Sequence, residues 1–212
     1  MSVSALLLLA LLSGTAQIVA RNRGLLALHY LLKPGTMLLI IAIAWLHPGD
    51  DPRYRCLLLG GLAFGLCGDV LLMLPRKLFA AGLVSFLVGH LFYAAAWIAP
   101  PPGAAPTLLV AGLLGGGSIA LYRYLLPGLG EMKVPVAAYV AVIGLVAVLA
   151  VLRALDGSPS ALAAAAGALL FVLSDGLLAV DRFRLALPAR EALVMASYYG
   201  AQACIACSVT LT

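Results

Sequence analysis

Two aspartates stand where carboxylates are costly. In GLCGDVLLMLPRKL (65–78) Asp69 interrupts an apolar run, and in FVLSDGLLAVDRFRL (171–185) Asp175 does the same. Each precedes an arginine, Arg76 or Arg182, by seven residues. An Asp at the centre of a membrane helix costs about 2.5–3.5 kcal/mol on insertion scales, so two at equivalent positions point to a site. The plainer alternative is a buried polar pair that ties helices together. Two carboxylates in different protonation states can do general acid–base work: one delivers a proton, the other steadies a developing cation or activates water.

The other six acidic residues lie in loops or at helix ends. The companions of Asp69 and Asp175 are instead Lys33, His90, Tyr93, Tyr139, Tyr198, Tyr199 and Gln202, all inside apolar stretches. Measured from the nearest basic loop residues at 1.5 Å rise per residue, each Asp lies roughly 10 Å deep, Tyr139 about 9 Å and Tyr198 about 12 Å. His90 and Gln202 lie deeper, and Lys33 near the start of its helix. Each also has a structural role open to it. Lys33 can snorkel to headgroups, His90 and Tyr93 can be a satisfied interior pair, and Tyr198 and Gln202, four residues apart on one face, can join helices. His29 and His47 lie near helix ends, where no chemical role is expected.

The elements that must hold these groups follow from composition. Of 212 residues 64% are hydrophobic and 10% charged, with a mean hydropathy of +1.12. Soluble domains average about 45–50% apolar and about 25% charged residues, so the chain reads as an integral membrane protein. Windows of about 20 apolar residues predict eight spans, roughly 2–20, 26–46, 55–74, 79–99, 106–126, 134–152, 160–180 and 191–211. The joining segments HPGDDP (47–52), PPPGAAP (100–106) and LDGSPS (155–160) are short and turn-rich. The expectation is an all-α polytopic bundle, one domain over 1–212, because lipid leaves helix or closed barrel as the only spanning options.

The net charge of +5 is spread over short loops and so sets orientation rather than a nucleic-acid groove. Ten of the thirteen Lys and Arg flank loops after odd-numbered spans, leaving Arg53, Arg55 and Arg153 opposite. That bias places the odd loops in the cytoplasm, both termini outside, and the polar cluster in the cytoplasmic leaflet. A bacterial inner membrane is the expected location. Trp45 and Trp97 fall at the outer helix ends, as an aromatic belt would. The N-terminal apolar run has no preceding positive charge, which favours an uncleaved first helix over a signal peptide. Cys204 and Cys207 form a lone CxxC without nearby histidines, read as packing residues.

Asp69 and Asp175 are 106 residues apart, half the chain and four helices. At the same offset Leu71 meets Leu177, Leu72 meets Leu178, Arg76 meets Arg182, Tyr93 meets Tyr199 and Lys33 meets Tyr139. Four helices restore the direction of the chain, so the offset suggests two parallel four-helix repeats.

KPGT (33–36), GDVLL (68–72), GHLFY (89–93), PVAAY (135–139), SDGLLAVDRF (174–183) and YYGAQ (198–202) resemble, in order and spacing over nearly the whole chain, the YhhN-like lysoplasmalogenase family of eight-span membrane proteins. The resemblance implies hydrolysis of the vinyl-ether bond of lysoplasmalogens to a fatty aldehyde and glycerophosphoethanolamine or glycerophosphocholine. It implies Asp69 and Asp175 as the essential acids, surrounded by Lys33, His90, Tyr139, Tyr199 and Gln202. The chemistry agrees: protonating the β-carbon of a vinyl ether makes an oxocarbenium ion, the kind of cation glycosidases manage with two carboxylates. Lys33 and Asp69 lie on consecutive helices, which favours Asp69 as the ionised partner and Asp175 as the acid. A lysophospholipid would set its headgroup among Arg76, Lys77, Arg182 and Arg184. No cofactor or metal is called for. Two rivals remain: a proton-coupled transporter or lipid-binding protein, and a metal-dependent lipid hydrolase using His90 with both acids.

Overall fold

A computed structural model describes residues 1–74 and 78–212. Its helices are α1 (Val3–Asn22), α2 (Leu26–Leu46), α3 (Pro52–Met73), α4 (Phe79–Trp97), α5 (Ala104–Leu125), α6 (Lys133–Ala154), α7 (Pro159–Phe183) and α8 (Arg190–Thr210). Two short 3-10 turns, Leu126–Gly128 and Gly130–Met132, join α5 to α6. All eight α-helices are long and apolar enough to cross a membrane, and the bounds lie within about three residues of those expected. The protein is therefore an integral membrane protein with an all-α fold.

Local chemistry sets the helix ends. The Ser2, Asp51 and Ser158 side chains each accept a backbone N–H from the first turn of α1, α3 and α7. Pro52 and Pro159 occupy the first turn, where no N–H is needed. Gly24 and Gly157 leave α1 and α6 with φ of +74° and +75°, a backbone that only glycine adopts without cost.

Packing is uneven. α8 sits at the centre against α1, α2, α3 and α7, while α4 packs on α3 and α6. Small residues bring the neighbours close: a Cβ on Gly167 would lie 2.9 Å from the Ala201 carbonyl, and one on Gly89 would lie 3.0 Å from the Gly61 carbonyl. Such close approach is how membrane helices gain contact without a hydrophobic driving force. α8 has the lowest mean hydropathy of the eight spans and is the most enclosed, so the least apolar helix is the one lipid touches least. α5 is its opposite. It packs on α6 and lightly on α7, and Leu108, Leu113 and Ile119 are exposed on its outer face.

One expectation is overturned. Trp97 is fully buried, stacked on Tyr93 with ring centroids 5.5 Å apart. Its Nε1–H donates to the Tyr54 hydroxyl at 3.2 Å, so it belongs to the interior and not to a belt. Trp45 is exposed. The four cysteines are free thiols.

Candidate functional site

A cavity of about 500 Å³ occupies the end of the bundle where odd helices finish and even helices begin. Its floor and walls differ in chemistry. Phe79, Leu83, Leu113, Leu114, Val140 and Ile143 from α4, α5 and α6 make an apolar side. Arg21, His29, Lys33, Asp69, Glu191 and Tyr198 from α1, α2, α3 and α8 make a polar one, with Tyr139, Asp175 and Arg182 between them.

Asp69 is nearly inaccessible, on the last turns of α3. Its Oδ1 lies 3.1 Å from Lys33 Nζ of α2, and its Oδ2 accepts the Tyr198 hydroxyl of α8 at 2.6 Å. A buried carboxylate is tolerable when a cation and a hydrogen bond both serve it. Pro34 follows Lys33 inside α2. Proline has no N–H, so the Tyr30 carbonyl one turn back is left without its helical partner.

Behind Tyr198 the chain of hydrogen bonds continues. Gln202 Nε2 donates to the Tyr198 oxygen at 3.3 Å, and the Tyr93 hydroxyl donates to Gln202 Oε1 at 2.8 Å. Gly65 makes the room: a Cβ there would lie 2.7 Å from Gln202 Nε2.

Asp175 is served differently. The Tyr139 hydroxyl of α6 makes a short hydrogen bond to its Oδ2. No cation lies within ion-pair distance of it among the described residues, and its other oxygen has no hydrogen bond there. It is also less enclosed than Asp69 and faces the cavity.

The structure thus brings Lys33, Asp69, Tyr139, Asp175 and Tyr198 to one cavity and leaves Tyr93, Tyr199, Gln202 and His90 outside its lining. Tyr93 and Gln202 support Tyr198 from behind. Tyr199 donates to Gln17 Oε1 at 3.3 Å. His90 is buried under the ring of Phe171, 4.5 Å between centroids, and beside Tyr139. Its Nδ1–H donates to the Phe86 carbonyl at 2.8 Å, while Nε2 has no partner among the described residues. Among the described residues no three of His, Cys, Asp and Glu converge as metal ligands.

Of the four residues expected around a headgroup, two are among the described residues. Arg76 and Lys77 lie outside the described residues. Arg182 lines the cavity with its guanidinium 3.8 Å over the Phe79 ring. Arg184 instead lies over the Tyr124 ring at 4.7 Å and does not line the cavity. Four residues given no role from sequence do matter geometrically. Gln17, buried in α1, donates from Nε2 to His29 Nδ1 at 2.8 Å and to Glu191 Oε1 at 2.9 Å. His29, Glu191 and Arg190 line the cavity. The signal for Gln17 was available: an amide inside an apolar helix needs partners.

Fold and cavity together define a polytopic helical membrane protein with an amphipathic pocket opening at its more basic end. The chain belongs to the YhhN family, whose match covers residues 28–209. It is 37% identical over 158 residues to lysoplasmalogenase TMEM86A of Bos taurus, covering 70% of this chain and 62% of that protein. Against lysoplasmalogenase TMEM86B of Mus musculus it is 36% identical over 174 residues, 81% of this chain and 71% of the relative. An uncharacterized membrane protein YhhN of Escherichia coli O157:H7 is 35% identical over 82 residues, 39% of each chain. The chain therefore spans less than two thirds of the bovine relative's length. No solved structure matches it.

Proposed function

We propose that this protein hydrolyses the vinyl-ether bond of lysoplasmalogens, releasing a fatty aldehyde and glycerophosphoethanolamine or glycerophosphocholine. The observation that carries the proposal is the pair of carboxylates facing one amphipathic cavity with unlike partners, a cation for Asp69 and a phenol for Asp175. Relatives named lysoplasmalogenases support the same activity.

The steps follow from the partners. Asp175 donates its proton to the β-carbon of the vinyl ether, and the electron pair of the double bond forms the new C–H bond. The ether oxygen shares the resulting positive charge as an oxocarbenium ion. Tyr139 steadies the Asp175 carboxylate left behind. Asp69, fixed by Lys33 and Tyr198, presents its negative charge to the cation from across the cavity. Water adds to the α-carbon and returns a proton to Asp175. The hemiacetal then breaks its C–O bond to glycerol, whose oxygen receives the hemiacetal proton, and aldehyde leaves. The single alkenyl tail lies along the apolar side from α4 to α6. The end of the bundle bearing the loops after odd-numbered helices faces the cytoplasm, in keeping with the bias of Lys and Arg toward those loops in the sequence.

The decisive measurement is mass-spectrometric detection of fatty aldehyde from a defined lysoplasmalogen incubated with purified protein in detergent. Acyl and alkyl lysolipids are the controls. Aldehyde from the alkenyl lipid alone is expected; none from it would overturn the proposal. Light packing of α5 against the bundle favours a second reading, a proton-coupled lipid carrier. Substrate flux into proteoliposomes without product would select it.

A further inference from the structure

The polar side of the cavity contains a group of residues the hydrolytic chemistry does not use. Gln17 sits at its centre, fully buried, with every polar hydrogen and its oxygen committed. Oε1 accepts from Tyr199, and Nε2 donates to both His29 Nδ1 and Glu191 Oε1. Two consequences follow from donor and acceptor count. His29 accepts at Nδ1, so its proton is on Nε2, and that N–H has no partner among the described residues although the side chain is buried and lines the cavity. Glu191 is held by one oxygen, leaving Oε2 with only Arg190 Nη1 at 3.8 Å, beyond hydrogen-bond distance. Arg190 itself leans toward Asp181, 2.8 Å from its Nε. His29 and Glu191 both line the cavity, and neither His29 Nε2–H nor Glu191 Oε2 makes a hydrogen bond among the described residues, which suits the pair to a ligand carrying both an acceptor and a donor.

From these residues we infer that Gln17, His29 and Glu191 form the headgroup subsite and that it selects phosphoethanolamine over phosphocholine. This rests on the lysoplasmalogen reading above. His29 Nε2–H and the guanidinium of Arg21, which lines the same side, take the phosphate. Glu191 Oε2 takes the ammonium. A primary ammonium has N–H groups to give a carboxylate, a charge-assisted hydrogen bond. A trimethylammonium has none and is recognised by cages of aromatic rings. Among the described residues Tyr30 is the one ring in contact with His29 on the cavity wall. Spacing supports the placement. His29 precedes Lys33 by four residues and Glu191 precedes Tyr198 by seven, so the subsite lies roughly 6–10 Å along the helices from the Asp69 group. Glycerol and its ether oxygen bridge that gap, bringing the vinyl carbons to the carboxylates.

The test is calorimetric binding of saturated alkyl-ether lysolipids, which no vinyl-ether hydrolase can cleave, to the protein in detergent. The headgroups are phosphoethanolamine, its mono- and dimethyl forms, and phosphocholine. Ethanolamine should bind about tenfold more tightly than choline, with affinity falling as each N–H is replaced. Glu191→Gln should bring the two within about threefold, by weakening ethanolamine alone. His29→Phe should weaken all four headgroups alike. Equal wild-type affinities, or an unchanged preference in Glu191→Gln, would overturn the inference. The methylation series needs no variant, so it decides even where a variant fails to fold. Preference without aldehyde from the matched alkenyl lipids would overturn the hydrolase and leave the subsite standing; aldehyde without preference would do the reverse.

Discussion

The two halves of the molecule solve one problem with different chemistry. In the first, a side chain from α2 reaches the aspartate of α3; in the second, a side chain from α6 reaches the aspartate of α7. These are positions 106 residues apart in both cases, Lys33 and Tyr139, Asp69 and Asp175. The correspondence extends further. Tyr93 and Tyr199, again at that offset, each donate to a buried glutamine, Gln202 and Gln17. What differs is charge. Lys33 brings a full positive charge to Asp69, and Tyr139 brings only a hydroxyl to Asp175. Two equivalent carboxylates would compete for one role. A single substitution of partner type makes them chemically distinct, which an acid and an ionised partner require.

The comparison can be broken most sharply at the carboxylates. Asp175→Asn and Asp69→Asn should each lower aldehyde release at least roughly 10²-fold, the scale of a general acid or base. If a folded variant of either retained near-wild-type turnover, the halves would not share a reaction. Next in size is the ion pair. Lys33→Met leaves a buried carboxylate uncompensated, a loss of about 3–5 kcal/mol, visible as a lower Tm. Adding Asp69→Asn to it should recover most of that stability without recovering activity, since a neutral pair is nearly as easily buried. Failure to recover would mean that Lys33 matters for something other than Asp69.

Smaller effects separate the two phenols. Tyr139→Phe should lower kcat roughly tenfold with KM little changed, because its hydroxyl steadies the acid rather than the lipid. Tyr198→Phe should cost less, as Lys33 still holds Asp69. Equal losses would erase the distinction between the halves. The smallest difference is between the outer tyrosines. Tyr93→Phe strands the buried Gln202 oxygen, at about 1–3 kcal/mol, and Tyr199→Phe should cost less because its bond to Gln17 is longer. Thermal melts in detergent would rank them.

Much of the fold was legible because lipid leaves so few solutions. A run of about 20 apolar residues must be a helix, and turn residues must end it. Asp69 and Asp175 were equally visible, since a carboxylate in such a run is costly and calls for a reason. Which residues would meet them was harder. Lys33 could be tied to Asp69 because their helices are consecutive and adjoining. Trp97 and Arg184 both lie at helix ends, where sequence does not say which way a side chain turns. Trp97 turned inward to Tyr93 and Tyr54, and Arg184 toward Tyr124 on α5. Gln17 was visible as an amide in an apolar helix, but its partner Glu191 lies 174 residues away on α8, a pairing that local sequence does not mark.

By itself the sequence determined the number of spans, their bounds, the two costly carboxylates and the offset that relates them. These depend on hydropathy and helical rise, which act residue by residue. The tertiary structure decided that α8, the least apolar span, takes the centre, that α5 stands at the edge, and that a phenol rather than a cation faces Asp175. Those outcomes depend on which helix faces touch. That choice is settled by close packing and by the need to satisfy every buried polar group at once, a condition no single stretch of chain can express.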